Sequence, residues 1–405
     1  MVETIYSCAF SSSSEEKLMR RDYSNHKNGT TTVKVVCAVC FWLFSFVWLY
    51  AFQADVLAVS QHILSDGATH YNRSLGAIFT TLALYLLQLV VSLILRQSKR
   101  SYALTYLPSM LFLALISDFN FDDHLDYSLG DWKWLIPLVL LLWGACVWLS
   151  KQLLTFENQN NVNNAYFSRD VWQNVLILLV MVLFVTFSTN TNAVFHFQAH
   201  AETSLLHGDD DEALHVGAKS LETNASLTML RAFALSRKGE MGEHLFEYAL
   251  EGKSTDLLPL KDSQSRLLLL PADSIYKHLG GRPKRSIDVW QYLNAVERDS
   301  FATRAVADYV LCGFLMDKNL KAFAHALPRY YEISDSVSLP RHYQEAMVMY
   351  RSIQGDTVIA RQDSLVYDQW VAIRDLKKQI PDKSARRLRA LERHRGSYFY
   401  YYLYK

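Results

Sequence analysis

Charge is missing from five long stretches of this chain: residues 35–54, 74–95, 101–117, 134–150 and 171–188 contain no Asp, Glu, Lys, Arg or His. An ionisable group in hydrocarbon is costly and marks an ion or proton path, so its absence argues against a pump or a proton-coupled transporter. The chain also lacks a Walker loop, a dinucleotide fingerprint, a GxSxG elbow and zinc-finger spacing. Its formal net charge of +1 gives no global attraction to nucleic acid. Cysteine is scarce: of the five, only Cys312 follows residue 190, so that half has no internal disulfide. No apolar segment precedes Cys8, which argues against lipidation there.

The five uncharged runs are themselves the strongest positive signal. Each is apolar and close to the ~20 residues that a membrane helix needs, with 101–117 and 134–150 at the short end. The last reads VWQNVLILLVMVLFVTFS, and nothing comparable follows it. Residues 190–405 instead hold 29 of the 41 Lys/Arg and 27 of the 40 Asp/Glu. The expected organisation is a polar tail (1–34), a membrane domain of five spans (35–189) and a water-soluble domain (190–405). Basic residues set the orientation. With the N-terminus inside, segments 1–34, 96–100 and 151–170 hold ten Lys/Arg, while outer loops 55–73 and 118–133 hold only Arg73 and Lys133. The expectation is a multi-pass protein with a cytoplasmic N-terminus and an extracytoplasmic C-terminal domain. In the first outer loop, Val56, Val59 and Ile63 stand at helical spacing before Gly67, which predicts either a helix lying on the membrane surface or an ordinary connecting helix.

From Asn190 onward the pattern is amphipathic helices with short polar turns. Gly208 and Gly239, each beside acidic residues, lie 31 residues apart, near the ~34-residue period of tetratricopeptide repeats. The stretch EALHVGAKSLETNASLTMLRAFALSRKGEMGEHLFEYAL resembles that family's alternating helix and turn register. Ala213, Ala232 and Ala249 would allow close helix approach. The pattern returns weakly around Asp317-Lys318-Asn319, whereas 254–300, interrupted by Pro259, Pro271 and Pro283, fits no repeat. The fold class is therefore all-α: a five-span membrane half and a tetratricopeptide-like half. The chain closes with nine Lys/Arg between Arg374 and Arg395, then SYFYYYLYK. This predicts a capping helix with a solvated basic face and packed aromatics, or a contact with anionic lipid heads or glycans.

Several constellations invite chemistry. Cys37 and Cys40 form CAVC inside a span, which favours packing over redox work. His196 and His200 are one helical turn apart, but Phe197 stands where a zinc protease needs its glutamate. With the neighbouring acids they remain a candidate metal pair. The second outer loop offers Asp122 and Asp123 as oxygen ligands, without the glycine turn and closing glutamate of a calcium loop. Asp55 sits at the mouth of the first span, where membrane glycosyltransferases that use lipid-linked sugars often carry an acid. No cofactor is expected.

The runs ADVLAVSQHILSDGATHYN, LPRHYQEAMVMY and FYYYLY resemble an uncharacterised family of integral membrane proteins from Bacteroidota. That resemblance implies a place in the inner membrane with the C-terminal domain in the periplasm, and no activity. The expected role is a membrane-anchored scaffold whose helical domain binds a protein or peptide partner in envelope assembly or secretion, in contact with membrane lipids and not with nucleic acid. Two other roles remain: an envelope enzyme acting on a lipid-linked substrate at Asp55, and an accessory subunit of a transporter.

Overall fold

The computed structural model describes residues 31–118, 131–153, 169–299, 302–332, 339–355 and 364–405. All regular elements among them are helical. The chain divides into two compact units, Met1–Thr191 and Asn192–Lys405.

In the first unit, four helices are long and apolar enough to cross a membrane: α1 (Thr31–Phe52), α3 (Arg73–Leu95), α5 (Trp132–Gln152) and α6 (Arg169–Ser188). Their bare outward faces, such as Leu141, Trp148, Leu179 and Phe187, are unsuited to water. Between α1 and α3 lies α2 (Ala54–Leu64), whose Val56 and Val59 are fully buried. It packs on α3 and on the helix that follows α3, as a connecting helix does. Its end is closed by Gly67, whose N–H reaches back to His62 O at 2.8 Å.

The fifth expected span differs from the other four. Residues 101–117 form a 3-10 helix (Tyr102–Tyr106) followed by α4 (Leu107–Ser117), a shorter apolar element. Pro108 in the first turn of α4 lacks an N–H, which suits a helix start. A 3-10 stretch rises faster than an α-helix, so the element reaches roughly 26 Å. Its irregular entry is satisfied by side chains from α3 and α6. Asn174 Nδ2 donates to Lys99 O (2.8 Å) and to Asp170 O (2.7 Å), and its Oδ1 accepts from Ala103 N–H (2.7 Å). Gln88 Nε2 donates to Tyr102 Oη (3.1 Å) and Thr105 Oγ1 (3.0 Å), and Ser109 Oγ donates to Leu84 O (2.8 Å). Lys99 and Arg100 pair with Asp170 at the edge of this latch.

The second unit contains α7 (Ala193–His207), α8 (Asp210–His215), α9 (Ala225–Lys238), α10 (Met241–His244), α11 (Ala272–Leu279), α12 (Val289–Arg298), α13 (Arg304–Met316), α14 (Leu320–Tyr330), α15 (Arg341–Ile353), α16 (Ser364–Gln379), α17 (Lys383–His394) and α18 (Tyr398–Tyr404). Helix α9 is buried on every side from Ala225 to Ser236 and forms the axis of the unit. Even Arg231 on it is buried. Its guanidinium donates to Val216 O, Gly217 O and Ala249 O and lies over the Tyr248 ring, while burial lowers its pKa to about 10.

Three helix pairs share one turn. Gly208, Gly239 and Lys318 adopt left-handed backbone angles, with φ of 80°, 72° and 56°. The following N–H then reaches a carbonyl five residues back: Asp209 to Ser204, Glu240 to Leu235 and Asn319 to Phe314, at 3.0, 2.9 and 2.9 Å. The pairs α7–α8, α9–α10 and α13–α14 result. The partner helices in the first two are short, six and four residues, where the tetratricopeptide register expects helices of about the same length. The third pair is more even, at 13 and 11 residues.

In the stretch that fits no repeat, 254–300, the part before α11 is held by carboxylates. Glu202 on α7 is fully buried and accepts the backbone N–H of Leu268, Leu269 and Leu270 at 2.6–3.0 Å, with Gln198 Nε2 as a fourth donor. Asp256 accepts the N–H of Lys253 and Gln264, and Asp317 accepts the N–H and hydroxyl of Ser254.

Replacing Asn174 by Leu keeps the branched shape of the side chain but strands Lys99 O and Ala103 N–H. Thermal unfolding in detergent is expected to show a loss of about 1–3 kcal/mol; an unchanged midpoint would remove the latch from the account.

Candidate functional site

Two places gather polar chemistry, one in each unit. In the first unit it is the mouth of the first span. Helix α1 ends in a π-helical turn, Trp48–Phe52, closed by Gln53 N–H on Trp48 O at 3.0 Å. Such turns widen the helix and are frequent at functional positions. Arg73, opening α3, donates from Nε to Tyr50 O (2.6 Å) and lies over the Tyr50 ring. Trp48 Nε1 donates to Ser117 Oγ at the end of α4 (3.2 Å). The mouth is thus tied to both neighbouring elements. Gln53 is buried, and its Oε1 accepts no hydrogen bond from the described residues. Asp55 follows two residues later, half-buried in the first turn of α2.

The other sequence candidates are dispersed. His196 and His200 lie on α7, where His200 Nε2 sits 3.2 Å from Glu212 Oε1. Among the described residues, no group of three or more His, Cys, Asp or Glu is placed to hold a metal ion. Asp122 and Asp123 lie outside the described residues. Cys37 is buried and Cys40 exposed on α1, both free.

In the second unit a cavity of about 410 Å³ opens between α17, α18 and the turn after α10. Its floor is apolar: Phe246, Leu250 and Tyr401, with Leu388 and Leu391 from α17 and Leu221 opposite. Phe246 is locked edge-on between Tyr398 and Tyr401, each ring 5.0 Å away, so the floor is preformed. Arg387, Arg395 and Lys405 stand at its rim. The aromatic tail is divided: Tyr400, Tyr402 and Tyr404 are half-buried and Leu403 is exposed. Tyr398 and Phe399 are fully buried. The hydroxyls of Tyr398 and Tyr401 donate to Leu315 O and Met316 O in the last turn of α13.

Behind this floor lies a polar network that sequence reasoning did not find. Glu345 on α15 is buried; its Oε2 accepts the N–H of Tyr398 (2.6 Å) and meets His342 Nδ1 (3.1 Å), and its Oε1 accepts from Arg341 Nε (3.1 Å). On α13, Asp308 Oδ1 accepts from Tyr331 Oη (2.7 Å) and Tyr343 Oη (2.8 Å), with Cys312 Sγ 3.4 Å from Tyr343 Oη. Burial raises the Asp308 carboxyl above its ordinary range, opposed by the two tyrosine hydroxyls. Burial also pushes the Cys312 thiol far up, which keeps it from acting as a nucleophile. The one signal in the sequence was the run LPRHYQEAMVMY, which supplies Arg341, His342, Tyr343 and Glu345.

Residues 285–405 match a family of unknown function, DUF6057. That segment holds this polar network together with α17 and α18. No curated protein and no solved structure matches the chain.

A raised carboxyl binds its proton more tightly in the folded state, so its contribution to stability is full below about pH 4 and is lost as pH rises through the folded value. Asp308→Asn removes that slope. Denaturant titrations are expected to show a flatter pH dependence above about pH 4 than in the parent; an identical slope would mean that Asp308 ionises without cost.

Proposed function

We propose that this chain is a membrane-anchored scaffold of the inner, cytoplasmic membrane, whose C-terminal unit binds a protein or peptide partner in the periplasm. The layout has five spans, with 102–117 counted as the fifth. In favour of that count, the element is about 26 Å long against a hydrocarbon core of about 30 Å, and its irregular entry is satisfied by Asn174 and Gln88. Non-helical backbone is tolerated at depth only when satisfied in this way. Five spans and the excess of basic residues on one side support a reading in which Asn192–Lys405 lies outside the cytoplasm. The paired helices with their recurring turn are read as degenerate tetratricopeptide-like repeats, of a kind that presents binding surfaces.

The observation that carries the reading is the preformed apolar recess in the second unit, with uncovered leucines and cations at its rim. Apolar patches rimmed by polar groups mark interaction sites. Crosslinking in native membranes, followed by pull-down through the C-terminal unit, is expected to return a discrete protein partner. Return of no specific partner would contradict the scaffold role.

A second reading, an envelope enzyme acting on a lipid-linked substrate, is favoured by the π-helical mouth with Gln53 Oε1 buried beside Asp55. Asp55→Asn separates the two. Loss of cellular function at normal abundance supports the enzyme, whereas an unaffected phenotype supports the scaffold.

A further inference from the structure

Helix α17 is unusually uncovered for an element this close to the core. Ala390 is its only buried residue. Ser384, Arg387, Leu388, Leu391 and Arg395 line the recess, spaced so that they share one face of α17 and its end. That face runs for roughly 16 Å, or three helical turns. Leu388 is 58% exposed and Leu221, across the recess, 57%. A rigid floor of Phe246 and Tyr401 lies between them.

The charges at the rim differ in availability. Arg395 is engaged, its guanidinium donating to the carbonyls of Ala218, Lys219 and Ser220. Glu247, the acid of the lining, is held by Arg341 and His244. Arg387 and Lys405 have no acidic partner among the described residues. Along the rest of α17, Lys383 and Arg393 add positive charge, and its one acid, Glu392, pairs with Arg389. Among the described residues, the leucines of the recess are left uncovered and, with Glu247 engaged, no carboxylate pairs with Arg387 or Lys405.

We propose that the recess is the seat of an amphipathic helix from a partner protein, with an acidic polar face. The proposal rests on the docking reading above and adds the chemistry of the docked segment. A helix laid alongside α17 places apolar anchors at i, i+3, i+4 and i+7 into the floor, which is how grooves of this form are filled. Its flanking acids then reach Arg387 and Lys405. A planar anionic membrane matches less well, because Phe246, Leu250 and Tyr401 are buried in the floor, and a flat surface reaches only the exposed Leu221 and Leu388.

The test uses the full chain in nanodiscs of neutral lipid. The probe is a fluorescent peptide of about 14 residues, with leucine at i, i+3, i+4 and i+7 and glutamate elsewhere. Saturable binding is expected for this peptide. It should weaken roughly tenfold or more in the double variant Arg387→Glu, Lys405→Glu, and also as salt rises from about 0.05 to about 0.5 M. Leu388→Asp should abolish it. All three substituted side chains line the recess and lie outside the buried core, and an unchanged thermal midpoint verifies the fold. A peptide of the same composition with its periodicity scrambled should not bind, nor should one with lysine for glutamate. Equal binding of the scrambled peptide, or indifference to charge reversal, overturns the proposal. So does a double variant that loses only its binding to phosphatidylglycerol vesicles, since a lipid surface would then be the occupant. A photocrosslinker at Leu388, compared with one at exposed Lys321 on α14, separates the two levels. Capture at Lys321 alone sinks the acidic helix and leaves the scaffold standing; capture at neither sinks both.

Discussion

Three consecutive backbone amides, those of Leu268, Leu269 and Leu270, end on the single buried carboxylate of Glu202. The second unit depends on contacts of this kind. A main-chain N–H removed from water must find an acceptor, and an irregular segment has none of its own. Here carboxylates from neighbouring helices supply them. Glu202 fastens the leucine run to α7, Asp256 and Asp317 fasten the stretch before it, and Glu345 receives the first N–H of α18. Burial raises the Glu202 pKa, with the four donors working against it. The carboxylate is costly to bury, and leaving three amides unpaired would cost more.

The same constraint operates in the first unit with neutral groups. Asn174, Gln88 and Ser109 supply donors and acceptors to the backbone and hydroxyls around the 3-10 turn. At the opposite end, the π-helical close of α1 leaves Tyr50 O to Arg73. Uncharged amides and hydroxyls serve in a helical interior where ions are too costly. Both units can therefore carry short or irregular segments, and each candidate site lies next to one.

Some of this was legible in sequence and some was not. The four long apolar helices follow from runs without charge, a signal that survives any packing arrangement. Residues 101–117 gave the same signal, but their 3-10 opening depends on Asn174 some 70 residues away. Gly208 and Gly239 marked turns because a left-handed residue favours glycine; the same turn at Lys318 follows without that mark. The lengths of α8 and α10 were not legible: α8 gives way to extended backbone at Val216, whose carbonyl accepts from Arg231, and α10 passes into a 3-10 turn at Leu245. The part of 254–300 that precedes α11 looked irregular because its order comes from Glu202, Asp256 and Asp317 and not from periodicity. The basic segment and the tyrosines were visible as composition. The recess was not, since Leu221, Phe246 and Leu388 meet only in three dimensions. Of the tyrosines, Tyr398 and Tyr401 are core residues whose hydroxyls bond the last carbonyls of α13.

The account ties binding to this satisfaction of the backbone. The floor of the recess is rigid because α18 is fastened by Glu345 and by the hydroxyls of Tyr398 and Tyr401, and a rigid recess loses little entropy when it is filled. Hydrogen exchange resolved to single residues, on the full chain in nanodiscs, tests the premise most directly. The account predicts that the amides of Leu268, Leu269 and Leu270, although in a loop, exchange as slowly as those of buried α9. Exchange at the rate of an open loop would contradict it.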